Sequence, residues 1–265
     1  MIESITDNLL STRTMICKCN VVMNHSFIFD NLPLFSSFSN SFQVVAMYHK
    51  NIAKGKTHLF KKKNLSSFRN AVNILIEDEN ENCCNIKLSK QSLQITGCKQ
   101  IDKTHEGIKY LFELILHECK DGISLLENTI RIKCTIVMTN YIYDCGFRID
   151  KRKLHQLMNE DSSHRFYCLF DTSFGYTGYN LKMDVCPNDF DIKIPIFIYN
   201  EEGKWSKEEE TYSIIGKSKK FNSFLLFHSG KIIVSGMLET SMNDHFLVFK
   251  KYLTDNKEKI EEFIH

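Results

Sequence analysis

Residues Phe224 to Gly236 read FLLFHSGKIIVSG. Two apolar runs flank Ser229 and Gly230, a pair with turn chemistry, so the stretch predicts a tight β-hairpin. By the period of two, its residues Leu225, Phe227, Ile233 and Ser235 point to one face. An earlier stretch, Asn85 to Gly97 (NIKLSKQSLQITG), has the same layout. Counted back from the closing glycines, Leu88 falls on Phe227 and Thr96 on Ser235, and each hairpin runs directly into an amphipathic helix. The chain therefore reads as one hairpin-plus-helix unit used twice.

Composition bounds the rest. A chain of 265 residues, 43% hydrophobic and 25% charged, can bury one large core or two small fused ones, as a soluble globular protein does. Lys and Arg number 34 against 32 acids, a net charge of +2, so any nucleic-acid surface must be local or apolar. The 10 cysteines include no CxxC pair and no His/Cys cluster at zinc spacing, which points to free thiols in a reducing compartment and to no metal or other cofactor. The first residues, MIESITDNLLSTRT, lack a basic start followed by an apolar run, and no stretch reaches the roughly 18 apolar residues of a membrane span. An intracellular protein without a membrane partner is expected.

Taken in order, residues 1–13 read as a loose leader, 14–122 as the first unit and 123–265 as the second, with an insertion near 187–220. Met15 to Met23 is a strand. Asp30 then caps a short helix with Pro33 in its first turn and Leu34, Phe35 and Phe38 as its stripe. Ile136 to Tyr143 and the helix capped by Asp150, with Leu154, Leu157 and Met158, repeat the plan 120 positions on (150 − 30), which superposes Asn20 on Asn140. Between the first helix and the first hairpin, a basic loop holding Lys61 to Lys63 precedes a strand from Phe68 to Ile76; Tyr176 to Val185 is its counterpart. Asp102 caps the helix carrying Ile108, Leu111, Phe112 and Ile115, and Thr240 or Ser241 caps the one carrying Phe246, Phe249 and Leu253.

The fold class expected is α+β: two pseudo-symmetric repeats whose strands join in a curved antiparallel sheet, a saddle with helices on its convex side. The concave face is left bare. On it should lie Ile86, Leu88 and Thr96 from the first hairpin and Leu225, Phe227, Ile233 and Ser235 from the second. An apolar concave sheet with small hydroxyls and a rim of lysines suits a minor groove.

The hairpin FLLFHSGKIIVSG followed by a helix resembles that of TATA-box-binding proteins, roughly LIFxSGKxxxTGAK in each of two repeats, and NIKLSKQSLQITGCK is a degenerate first copy. FRNAVNILI and FRIDKRKL are similar to divergent relatives of those factors in large DNA viruses. The resemblance covers most of residues 14 to 255 outside the insertions. It implies apolar wedges between base steps at Phe227 and Leu88, and at the strand-opening Phe68 and Tyr176, with Phe166 as the alternative to Tyr176. It also implies hydroxyls under the bases at Thr96 and Ser235, phosphate contacts at Lys99, Lys182 and Lys231, and an asparagine pair at Asn20 and Asn140. Departures are Leu238 in place of a lysine, Gln94 in place of an apolar contact and Ser92 in place of the hairpin lysine. DTSFGY, Asp171 to Tyr176, replaces the acidic turn that docks a factor-IIB-like partner.

The function so implied is an initiation factor that binds and bends AT-rich double-stranded promoter DNA and presents it to RNA polymerase or a factor-IIB-like protein. It would work in a cytoplasmic viral replication site or virion, or alternatively in a nucleus. The alternative is a scaffold of the same fold that has lost DNA binding, with the insertion as its partner surface. An enzyme would need an active site, and the carboxylates Glu77, Asp78 and Glu79 with nearby His105 read as a solvated turn and a helix start, so no catalytic residue is assigned.

Overall fold

The computed structural model describes residues 4–39, 41–60, 70–161, 165–169, 178–185, 191–213 and 220–262. In chain order the elements are β1 (Leu9–Cys19), β2 (Val21–Met23), α1 (His25–Asn31), β3 (Phe42–His49), β4 (Ile52–Gly55), β5 (Val72–Asp78), β6 (Cys83–Leu88), β7 (Ser92–Cys98) and α2 (Ile101–Glu118). They continue as β8 (Ile123–Leu125), β9 (Ile130–Asp144), α3 (Lys151–Glu160), β10 (Tyr167–Leu169), β11 (Gly178–Asp184), β12 (Asp191–Tyr199) and β13 (Trp205–Ser213), and end with β14 (Phe221–Phe227), β15 (Lys231–Gly236), α4 (Glu239–Asp255) and α5 (Lys257–Ile260). The strands pair antiparallel. Two compact units result. The first comprises Arg13–Ile136 and Ile192–Tyr212, and the second Met1–Thr12, Val137–Asp191 and Ser213–His265.

In the first unit, β1, β7, β6, β5, β3 and β4 are neighbours in that order. Alternate residues of the strands, Met15, Cys17, Val72, Ile74, Ile76, Ile86, Leu88, Leu93 and Ile95, share one core with Ile108, Leu111, Phe112 and Ile115 of α2. The three-and-four spacing of those four helical residues puts them on one stripe, so α2 packs on one face of the sheet. Its N-cap is Gln100, not Asp102, which lies inside the first turn. On the other face a small cluster of Val45, Ala46, Tyr48 and Leu75 is closed by Phe60.

The insertion packs with this first unit. β12 pairs with the start of β9, Phe197 opposite Ile132, and buries Phe197 in the α2 core. Trp205 Nε1 donates to Glu113 Oε1 at 2.6 Å, and the His105 ring lies 4.8 Å from that of Phe197. The carboxylates that read as a solvated turn hold structure. Glu77 meets Lys56 Nζ at 2.6 Å, and the Asp78 carboxylate accepts the backbone N–H groups of Asn80 and Asn82.

The second unit orders β10, β11, β14, β15 and the end of β9. Phe224, Leu226, Ile232 and Val234, all fully buried, meet Met242, Phe246, Phe249 and Leu253 of α4. Asn222 is buried as well and is satisfied by donating to Ser241 Oγ at 3.1 Å and pairing with His245 Nδ1 at 2.9 Å, which ties β14 to α4. Residues 4–12 are built into this unit. Ser4 caps a turn of 3₁₀ helix, Ile5 is fully buried, and Asn243 Oδ1 accepts from Ile5 N at 2.9 Å and Ser4 Oγ at 3.0 Å. The expected loose leader is thereby corrected: burial of Ile5, worth about 2 kcal/mol, acts together with the Asn243 hydrogen bonds and with β1, which already begins at Leu9.

Two expectations about register fail for identifiable reasons. The first short helix runs from His25 to Asn31 under an Asn24 cap that accepts from Phe27 N, rather than following Asp30. Pro33 lies beyond it, where it ends a helix instead of starting one. The caps Asn24 and Asp150 are therefore 126 apart (150 − 24), not 120. The first hairpin closes on the pair Leu88 and Leu93, leaving Ser89 to Ser92 in its turn; the second closes on Leu226 and Ile232, leaving Phe227 to Lys231. One turn residue fewer reverses the faces of the preceding strand relative to the closing glycine. Ile86 (1% exposed) and Leu88 (0%) are therefore core residues under α2, not members of the bare face.

Leu88→Ala should accordingly cost about 2–5 kcal/mol of folding free energy, measured by urea unfolding, against under about 1 kcal/mol for Leu225→Ala. Comparable costs would contradict the assignment of faces. A second expectation concerns His105, whose pKa burial pushes down to about 4 from the usual 6.5. Between those values the unfolded chain binds the extra proton, so the contribution of neutral His105 is complete above about 6.5 and is lost as pH falls toward about 4. His105→Gln should flatten the decline in urea midpoint over that window; equal slopes in both proteins would argue otherwise.

Candidate nucleic-acid interface

The candidate interface is the face of each sheet turned away from its long helix, here called the outer face. In the second unit it carries Leu225, Phe227, Ile233 and Ser235, all half-buried, with Asn140 and Ile142 of β9 and Asn180 and Lys182 of β11. The register sets them in rows across the strands. One row is polar: Lys182, Ser223, Ser235, Asn140. The next is apolar after its first member: Asn180, Leu225, Ile233, Ile142. Phe227 stands beyond, opposite Gly178. A Cβ on Gly178 would lie 2.6 Å from Leu225 Cδ1, so glycine is what lets Leu225 lie over that strand. Gly230 (φ +86°) makes the turn, where a side chain would strike the Phe147 carbonyl oxygen at 2.1 Å. Among the described residues, neither Leu225, Phe227, Ile233 nor Ile142 packs against the core cluster of this unit.

At the other end of β14 two aromatics that sequence reading passed over are exposed, Phe221 (38%) and Tyr167 (50%). Their rings meet edge to face at 6.1 Å; Lys182 Nζ sits 5.6 Å from the Phe221 centroid, and the Tyr167 hydroxyl donates to Asp184 Oδ2 at 2.7 Å. The signal was parity, since Phe221 shares its alternation with Leu225 and Phe227. Phe166, the alternative wedge, is buried at 7% among Phe224, Phe249 and Tyr252 and is excluded. Tyr176 and Phe68, with Lys61 to Lys63 and the segment 171–176, lie outside the described residues.

The outer face of the first unit is different. Its rows are Leu75, Asn85, Thr96, Thr14 and Asn73, Lys87, Gln94, Ile16. Thr96 lies where Ser235 lies in the second unit, and Thr14, not Asn20, is the partner of Asn140 (140 − 14 = 126). Asn20 serves the β1–β2 turn. Its Nδ2 donates to Thr129 O at 2.9 Å and Glu127 Oε2 at 3.1 Å, and its Oδ1 accepts from Arg131 N at 2.7 Å. Asn140 Oδ1, by contrast, is buried and has no partner among the described residues, as do Asn85 Oδ1 and Asn180 Oδ1.

The basic residues divide. Lys182 and Lys231 belong to the outer face of the second unit, Lys231 opposite Asp144. Lys99 instead lines a cavity of about 300 Å³ beside the start of α2, together with Asp78, Cys83 and Lys103. It is not brought together with the others. Lys87 on the outer face of the first unit has its pKa lowered by partial burial. Among the described residues no group of three or more His, Cys, Asp or Glu could hold a metal, and no helix is long and apolar enough to cross a membrane.

Comparison with known proteins adds the following. No protein-family model matches the sequence. Uncharacterized protein 335L of Invertebrate iridescent virus 6 is 27% identical over 227 residues, which cover 77% of this chain and 65% of that protein. The chain thus spans about two-thirds of the length of that relative. A solved structure of Methanococcus jannaschii TBP aligns with 94% of this chain and 97% of its own at 13% identity, with a TM-score of 0.44.

The two asparagines give a direct test of their different settings. Asn20→Ala, which strands Arg131 N–H, should cost about 1–3 kcal/mol in urea unfolding. Asn140→Ala removes an unpaired buried oxygen and should be neutral or stabilise by up to about 1 kcal/mol. A large loss at Asn140 would mean that its amide is anchored within the fold.

Proposed function

We propose that the protein is a minor-groove DNA-binding factor of the TATA-box-binding type, acting at transcription initiation. What carries this reading is the outer face of the second unit: the apolar Leu225, Ile233 and Ile142 with Phe227 beyond them, laid beside a row of hydroxyls and an asparagine whose oxygen lacks a partner. Such a face suits the floor of an A·T minor groove, where apolar atoms press on sugars and an aromatic enters a base step. Lys182 and Lys231 would meet phosphates. The duplicated unit and its hairpin motif support the same reading.

The first unit would contribute differently from the pattern implied by the family. Leu88 is fully buried and cannot act as a wedge without unfolding the sheet. Of the two hairpin wedges, only Phe227 of the second unit is then placed to kink DNA. The partners proposed are AT-rich duplex DNA and, beyond it, RNA polymerase or a factor-IIB-like protein in a reducing viral replication site.

The test is fluorescence anisotropy and end-to-end energy transfer on a 30-base-pair AT-rich duplex at low salt. Wild type should bind and shorten the duplex, while Phe227→Ala should lose about tenfold in affinity and most of the shortening. With few lysines at phosphates, affinity should fall with salt less steeply than for a polycationic binder. No binding by wild type at low salt would overturn the proposal in favour of a scaffold that has lost DNA binding.

A further inference from the structure

The registers of the two hairpins allow an outer-face comparison residue by residue. Asn85 corresponds to Ser223 and Thr96 to Ser235, polar for polar. Ile16 corresponds to Ile142, both across from the second hairpin strand. At the centre the chemistry changes: the cross-strand pair Leu225 and Ile233 of the second unit is Lys87 and Gln94 in the first. Phe227, at the end of β14, has Ser89 as its counterpart. The strand pairing is the same, so the exchange is one of side-chain chemistry on equivalent backbone.

We propose that the outer face of the first unit reads the minor groove by hydrogen bonding through Lys87 and Gln94 and accepts G·C pairs, whereas that of the second unit is restricted to A·T. This rests on the function proposed above. In the minor groove an A·T pair offers only the acceptors adenine N3 and thymine O2, while G·C adds the guanine N2 amino donor. Seated on Leu225 and Ile233, that amino group would be stripped of water by side chains that carry no acceptor, the free oxygens of Asn140 and Asn180 lying outside this pair. Against Gln94 it meets an amide oxygen, while the Gln94 amide N–H and the Lys87 ammonium donate to the acceptors that every base pair offers. At the hairpin position held by Phe227 the first unit has Ser89, which cannot unstack a step. At that position the first unit makes no demand for a flexible, easily opened A·T step.

The test is selection of bound sequences from a randomised duplex pool by the full chain, repeated with Lys87→Leu/Gln94→Ile and with Leu225→Lys/Ile233→Gln. Both double variants change partly exposed outer-face residues, and thermal unfolding checks that each is folded. Wild type should select one block of A·T pairs, where each G·C costs about tenfold or more, beside a block where G·C costs under about threefold. Lys87→Leu/Gln94→Ile should convert the tolerant block to A·T only, and Leu225→Lys/Ile233→Gln should relax the strict one. If wild type and both variants select the same uniform A·T site, the inference is wrong and DNA binding stands. If wild type enriches no sequence, both readings fall.

Discussion

A β-strand sends successive side chains to opposite faces, so the number of residues in a hairpin turn decides which side chains reach the core. This constraint governs the molecule. In the second unit a five-residue turn from Phe227 to Lys231 puts Phe224 and Leu226 under α4 and leaves Leu225 and Phe227 outside. In the first, a four-residue turn from Ser89 to Ser92 puts Ile86 and Leu88 under α2 and leaves Asn85 and Lys87 outside. Each assignment is held by burial worth about 1.5–3 kcal/mol per large apolar side chain, so neither strand can slip by one residue without expelling several of them. The chemistry of the outer face is what remains once the core has taken its share.

Segments distant in sequence complete the cores. Ile5 enters the second unit beside α4, while β12 adds a strand to β9 and sends Phe197 into the α2 core. On β13, Glu208 reaches Arg131 and Glu210 pairs with Lys133. Exposed pairs of this kind add little stability, but charge along an outer strand discourages pairing with another chain. The insertion thus extends and covers the first unit, an arrangement its position in the sequence, within the second repeat, did not suggest.

The two hairpins each followed by a helix, the helical stripes of α2 and α4, the Asp150 cap and the alternation in FLLFHSGKIIVSG were all legible in the sequence, because each rests on a local period or a local hydrogen bond. Loop length relative to a distant landmark was not. Aligning NIKLSKQSLQITG on its closing glycine assumed equal turns, and that one assumption sent Ile86 and Leu88 to the wrong face. Aligning Asp30 with Asp150 made a similar error, since Asn24, with the same kind of side-chain oxygen, competes for the cap and Pro33 reads equally well as a start or a stop. The docking of residues 4–12 and of β12–β13 depends on long-range packing with no local signature. Phe221 and Tyr167 went unnoticed because nothing but parity separates an exposed aromatic from a core one in a chain with 20 phenylalanines.

Unequal outer faces bear on direction. A factor built from two equivalent halves presents the same surface either way round on an A·T tract, whose minor groove offers nearly the same acceptors on both strands. Its orientation is then decided by small differences in deformability or by other proteins. With Leu225, Ile233 and Phe227 on one unit and Lys87, Gln94 and Ser89 on the other, the two ways of binding one site are chemically distinct. A difference of about 1.4 kcal/mol between them is a tenfold bias, no more than one unmatched guanine amino group under the apolar pair can supply. On the proposed function, the polar exchange at Lys87 and Gln94 is then a means of fixing which way the bound complex faces, set by the protein alone.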